Sequence, residues 1–75
     1  MIYLSISDTD GVSVATALSQ LRTLVSSSMT STRGQLCVHL KESMKQILIN
    51  VHVNDRGILE ETYETWDVAS LENKS

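Results

Sequence analysis

The sequence contains no proline and no phenylalanine, and Trp66, Tyr3 and Tyr63 are its only aromatic rings apart from two histidines. Its hydrophobic core must therefore be built from aliphatic side chains. Cys37 is the only cysteine, which excludes a disulfide within the chain. A chain of 75 residues predicts one small domain spanning residues 1–75. Domains of this size bury only about 60% of their unfolded surface, and they often depend on a partner for stability.

The sequence also lacks a long apolar run and a basic excess. No segment approaches the ~20 apolar residues of a membrane span, and no secretory signal is present, so we expect a soluble, cytoplasmic protein with no membrane contact. Four basic and three acidic residues precede Asp55, a net +1, whereas two basic and six acidic residues follow from Asp55 onward, a net −4. General phosphate binding needs clustered Lys and Arg. The charge distribution therefore argues against nucleic-acid binding and is compatible with docking onto a basic protein surface, including one that normally holds nucleic acid.

Regular alternation of apolar and polar residues predicts strands at residues 2–7, 35–40 and 47–53, the last two paired antiparallel. Helical periodicity predicts a first helix over residues 12–27, capped by Asp10 or Ser13. The hydroxyl-rich run 26–32 predicts the end of that helix and a surface loop. The side chains directed to one face of the sheet are Ile2, Leu4, Ile6, Leu36, Val38, Leu40, Ile47, Ile49, Val51 and Val53.

Residues 54–69 are interpreted as a second amphipathic helix. Its buried face would contain Leu59, Thr62, Tyr63, Trp66 and either Ala69 or Ser70. The other side would carry an acidic stripe of Glu60, Glu64 and Asp67, with Glu61 beside it. Like charges at this spacing destabilise a helix by roughly 0.2–0.5 kcal/mol per pair, which makes the stripe a candidate contact surface, although a charge run is often only a solvated face. Trp66 is either a core residue or a half-exposed ring at the rim of an interface.

The predicted fold is therefore a two-layer α+β sandwich of order β-α-β-β-α, in which two helices cover one face of a three-stranded sheet. Cys37, His39 and His52 share the other face, but three ligands on an open sheet make a poor zinc site, so we expect no metal and no cofactor. A convex acidic stripe offers no cleft in which two carboxyl pKa values could be shifted apart. The sequence thus indicates no catalytic residues, and we expect the protein not to be an enzyme.

The segment Glu64–Thr65–Trp66, followed by Asp67 and Ala69, is similar to an acidic run in the final helix of the DinI-like proteins of enterobacteria and their phages. The opening Met1–Ile6 also resembles the first strand of that family, which modulates the RecA recombinase after DNA damage. The chain departs from the family after Ala69, where the family has two acids and another aromatic residue. The resemblance implies a β-α-β-β-α fold and a non-catalytic regulator of RecA filaments and the SOS response.

By this resemblance, the matched acidic positions Glu60, Glu61, Glu64 and Asp67 would contact the partner, with Trp66 beside them. An alternative is a phage or mobile-element protein that inhibits a host nucleic-acid-binding protein by DNA mimicry. A second alternative is a nucleic-acid-binding module that uses Arg33, Lys41 and Lys45, which the net charge opposes. The expected state is a monomer or a weak homodimer.

Overall fold

The computed structural model describes residues 1–27 and 32–68. Its four strands form one mixed sheet in the order β1-β2-β3-β4. β1 pairs parallel with β2, whereas the β2–β3 and β3–β4 pairs are antiparallel. The fold is a small α+β structure whose elements are β1 (Ile2–Ile6), α1 (Gly11–Ser27), β2 (Arg33–Leu40), β3 (Lys45–Val53) and β4 (Leu59–Asp67).

Helix α1 begins at an aspartate cap, as the sequence predicts. The Ser13 backbone N–H donates to Oδ1 of Asp10 at 3.1 Å, and the Ser13 hydroxyl donates to Oδ2 at 2.7 Å. These hydrogen bonds, the side-chain one foremost, lower the pKa of Asp10 below its ordinary value. The cap satisfies backbone donors that have no partner inside the helix. It fixes the start of α1, the helix that connects the parallel strands β1 and β2 across one face of the sheet.

The core lies between α1 and the two central strands, β2 and β3. The fully buried side chains Leu36, Val38 and Val51 all come from these strands. The buried side chains of α1 that pack in the same cluster are Leu18, Leu21 and Val25. The predicted inward set is confirmed, since every member is either buried in this cluster or packed against it. Residues of the cluster are Ile6, Leu18, Leu21, Val25, Leu36, Val38, Ile49 and Val51.

A glycine lets the helix approach the sheet closely. A Cβ atom placed on Gly34 would lie 2.5 Å from Cδ1 of Leu21 and 3.0 Å from Cγ2 of Val25. Both neighbours are buried, so neither can move aside without disturbing the core. Position 34 therefore has to be glycine for steric reasons, because the helix occupies the space that a side chain would need.

We expect Gly34→Ala to destabilise the protein by about 1–3 kcal/mol, because overpacking a core forces side chains out of their preferred rotamers. Equilibrium denaturation with urea measures this directly. Gly11→Ala is the matched control, since a Cβ at Gly11 meets nothing within 4 Å and alanine favours a helix. Equal stability of the two variants would contradict the close approach at Gly34.

The predicted second helix is wrong over residues 59–67, which form strand β4. The sheet therefore has four strands rather than three, and α1 is the only helix that covers it within residues 1–27 and 32–68. Thr62, Tyr63, Thr65 and Trp66 are β-branched or aromatic residues, which fit a pleated surface better than a helix. In the strand, successive side chains alternate between faces, so the proposed helical face of Leu59, Tyr63 and Trp66 does not exist.

The turn before β4 explains why the chain reverses here. The Asn54 side-chain oxygen accepts hydrogen bonds from the backbone N–H groups of Arg56 at 2.9 Å and Ile58 at 3.0 Å. Gly57 has a φ of 78°, a left-handed conformation that glycine adopts without a Cβ penalty. Asn and Gly at these positions are typical of a tight hairpin. The prediction of a helix over residues 54–69 is therefore also wrong at its start, where these two residues form a turn.

Smaller differences concern the ends of elements. β2 begins at Arg33 and β3 at Lys45, so the predicted loop of residues 41–46 is a four-residue turn at Lys41–Met44. The predicted loop residues 28–31 and the predicted helical residue Ala69 lie outside the described residues. Within residues 1–27 and 32–68, no helix combines the length and the apolar character needed to cross a membrane.

Candidate functional site

β4 is an edge strand, and it carries all four of the acidic residues predicted to bind a partner. Pairing along the β3–β4 hairpin fixes their faces, because alternate residues of a strand point to opposite sides. Glu60, Glu64 and Trp66 lie on the face of the sheet without α1, which we call the open face. Glu61 and Asp67 lie on the opposite face, the helix side. The four carboxylates therefore straddle one edge over about 23 Å, at ~3.3 Å per residue.

Glu61 is held inside the fold rather than presented to a partner. Its carboxylate accepts hydrogen bonds from Nε of Arg22 on α1 and from Nη2 of Arg22 at 3.0 Å. The Tyr63 hydroxyl donates to the same carboxylate at 2.6 Å. The Glu61 side chain is only 17% exposed. This cluster ties the helix to the edge strand, and it lowers the pKa of Glu61 through the Arg22 hydrogen bonds first and the Tyr63 hydrogen bond second.

We expect Glu61→Gln to reduce stability at neutral pH but not in acid. A lowered folded-state pKa stabilises the fold above the ordinary glutamate value of 4.5, and this contribution is lost as the pH falls through the folded-state pKa. Melting curves between pH 7 and pH ~2.5 test the sign, since protonation in acid makes wild-type Glu61 neutral, as the glutamine of the variant is at every pH. The effect is small because Arg22 is largely exposed.

Glu64→Gln serves as the control for this pH series. Glu64 lies opposite Leu48 on β3, so its charge is not opposed by a cation across that strand pair. The Glu64→Gln variant should follow the wild-type stability profile. A stability difference for Glu61→Gln that persists unchanged at low pH would contradict the role of the ionised carboxylate.

The other acidic residues of β4 have different neighbours on β3. Oε1 of Glu60 lies 3.2 Å from Nε2 of His52, and half of the Glu60 side chain is exposed. Asp67 is paired in register with Lys45 on the helix side. Glu64 is exposed and lies opposite the apolar Leu48. Glu60 and Glu64 therefore share the open face and remain accessible, and Glu64 has the least charge compensation from β3.

Trp66 lies on the open face of the sheet, in a row that crosses three strands. Pairing places it beside Gln46, which is paired in turn with His39. Trp66 is half-buried, so of its two predicted locations the structure supports the partly exposed ring. Among the described residues, neither the Trp66 indole N–H nor Nδ1 of His39 has a hydrogen-bond partner.

The remaining candidates on the open face do not form a site. Cys37 is paired with Leu48 and His52 with Arg33, so the strand register keeps the thiol and this imidazole apart. Residues 1–27 and 32–68 contain no group of three His, Cys, Asp or Glu side chains that could hold a metal ion.

Arg33 and Lys45 lie at opposite ends of the β2–β3 hairpin, so they do not combine into one basic patch.

The structure thus keeps the predicted residues on one element but separates them by face. Glu60, Glu64 and Trp66 share the face without α1, whereas Glu61 and Asp67 lie on the other side of the sheet. Sequence reasoning missed the cluster of Arg22 and Tyr63 around Glu61. No local signal could have found it, since Arg22 and Glu61 are 39 residues apart.

Comparison of the chain with protein-family models, with curated proteins and with solved structures finds no match. The assignment of function therefore depends on the chemistry of the described residues.

Proposed function

We propose that this protein is a non-catalytic binding protein that docks onto a basic surface of a partner protein through the open-face side of β4. The observation that carries the proposal is the placement of Glu60 and Glu64, two exposed carboxylates on one face of an edge strand. Trp66 adds a half-buried ring two residues after Glu64 on the same face, and aromatic residues are common anchors in interfaces. These three residues form the proposed docking surface.

The charges favour recognition by electrostatic complementarity. Glu64 faces an apolar residue on β3, so a cation on a partner can supply the compensation that β3 does not. Exposed charges of this kind raise the association rate and select against acidic partners more than they add affinity. The interaction should weaken with added salt, because added ions shorten the Debye length, which is about 8 Å at physiological ionic strength, and so screen exposed charges more strongly.

The resemblance to DinI-like proteins suggests RecA filaments as the partner and a cytoplasmic role in the SOS response. The strand at residues 59–67 differs from the final helix of that family, so the docking geometry would also differ. RecA on single-stranded DNA is accordingly the first partner to test, and Glu60 and Glu64 are the residues to alter.

We expect the double variant Glu60→Lys, Glu64→Lys to lose binding to RecA filaments by about tenfold or more, equivalent to ~1.4 kcal/mol. Co-sedimentation with filaments at low and physiological salt measures the affinity. Asp67 is left unchanged because its reversal would place two lysines opposite each other on β3 and β4. Circular dichroism and thermal melting verify that the variant is folded.

The matched control is the double variant Asp8→Lys, Asp55→Lys, which changes the net charge equally at exposed positions outside β4. It should bind like the wild type. Equal loss of binding in the two double variants would show that total charge, rather than the docking surface, determines binding. Absence of wild-type binding at low salt would remove RecA as the partner.

DNA mimicry is a second candidate, favoured by the two exposed carboxylates Glu60 and Glu64 on one face of the edge strand. It makes a different prediction, since a mimic competes with DNA for the same basic surface. Increasing concentrations of the protein should then displace labelled single-stranded DNA from the partner, and Glu60→Lys, Glu64→Lys should not. Binding without displacement would contradict mimicry while leaving the docking surface intact.

A further inference from the structure

The two edges of the sheet differ in how they are protected against pairing with another strand. β4 carries four carboxylates, whereas β1 consists of Ile2, Tyr3, Leu4, Ser5 and Ile6 and has no charged side chain. Proteins commonly protect exposed edges with charges, because an unpaired edge is a template for another strand. β1 has no such protection within its own sequence, and Tyr3 is 59% exposed.

The hydrogen bonds of β1 show which of its backbone groups face outward. The Lys41 N–H donates to the carbonyl of Ile6 at 3.0 Å, and Ile6 is paired with Leu40. In a parallel ladder this makes Ile6, and with it Leu4 and Ile2, the residues whose backbone groups bond to β2. The backbone N–H and C=O groups of Tyr3 and Ser5 consequently point away from the sheet, where no described strand pairs with them.

We propose that β1 pairs antiparallel with β1 of a second copy, giving a two-fold dimer with one eight-stranded sheet. The register is set by the outward groups: Tyr3 of each copy exchanges hydrogen bonds with Ser5 of the other. Leu4 then lies opposite Leu4 at the two-fold axis, and Ile2 lies opposite Ile6. This register uses both outward-facing residues of β1 in both copies.

A second copy fits this edge better than the other combinations of edges do. Pairing β4 with β4 would bring two acidic edges together, and like charges across strands are destabilising. Pairing β1 with β4 of another copy would repeat without closing and produce filaments. Pairing β1 with β1 is closed and apolar, and it places half-buried Ile2 and Leu4 against aliphatic neighbours. The pairing leaves both β4 strands at the outer ends of the sheet, so it is independent of the proposed docking surface.

Sedimentation velocity and light scattering from low micromolar to millimolar concentration measure the association. The wild type should form a reversible dimer. Ser5→Pro removes an outward N–H that the dimer uses and that β2 does not, which an edge strand tolerates. We expect this change to weaken dimerisation by about tenfold or more. Thr65→Pro is the matched control, since its N–H faces outward from β4, and it should leave the dimer unchanged.

Cross-linking tests the register independently of proline. In a Cys37→Ser background, Leu4→Cys places two thiols across the two-fold axis, where opposed Cα atoms lie about 4.5 Å apart, within the range of a disulfide. Ile2→Cys, equally half-buried, should not cross-link, because the two copies of residue 2 are offset by four residues, or about 13 Å. Mild oxidation followed by non-reducing electrophoresis shows which variant forms a covalent dimer.

A monomer at every concentration would overturn the proposal. So would a dimer that survives Ser5→Pro, one that Thr65→Pro abolishes, or equal cross-linking at positions 2 and 4. Filaments in place of a dimer would indicate pairing of β1 with β4 and would also overturn it. If Ser5→Pro does not fold, as judged by circular dichroism, the cross-linking comparison decides.

Discussion

The close approach of one helix to two central strands is the constraint on which the rest of this structure depends. Gly34 lets α1 lie against β2, so the helix side chains Leu21 and Val25 reach into the sheet. The core that results is centred on β2 and β3. Within residues 1–27 and 32–68 one helix packs on a four-stranded sheet, and both edge strands keep exposed side chains on the helix side or the open face. The proposed docking surface lies on the face without α1 and the proposed dimer uses the unpaired edge of β1, so both lie outside this core.

The acidic segment was the main cause of the difference between the predicted and observed folds. The same residues fit two periodicities. Leu59, Tyr63 and Trp66 follow a helical spacing. As a strand, the segment alternates instead, with even-numbered residues 60–66 on the open face and odd-numbered residues 59–67 on the helix side. The local evidence for a strand was the Asn54 and Gly57 turn together with the β-branched and aromatic residues after it. The strands and core of the first 53 residues were predictable because their alternation of aliphatic and polar residues admits one period.

What the sequence alone could not provide is the identity of the neighbours across strands. At helical spacing the acidic residues of this segment have no basic partner, which predicts an uncompensated stripe. In the sheet, Glu61 is bonded to Arg22, Glu60 lies beside His52, and Asp67 is paired with Lys45. These contacts depend on strand register and on the position of α1. The candidate site could thus be located to the right segment from sequence, but its division into structural and accessible carboxylates could not.

The strand also changes the electrostatic argument for a contact surface. Glu60 and Glu64 would be about 5–6 Å apart at Cβ on a helix, whereas four residues of a strand separate them by about 13 Å. At that distance, the mutual repulsion of the two carboxylates across water is largely screened. The fold therefore neither disfavours these two charges nor requires a cation beside them. Glu61, by contrast, is bonded within the fold, because its hydrogen bonds to Arg22 link α1 to the edge strand. A partner that recognises acidic charge on this protein should therefore depend on Glu60 and Glu64, whereas the Glu61 carboxylate is already bonded to Arg22 and Tyr63.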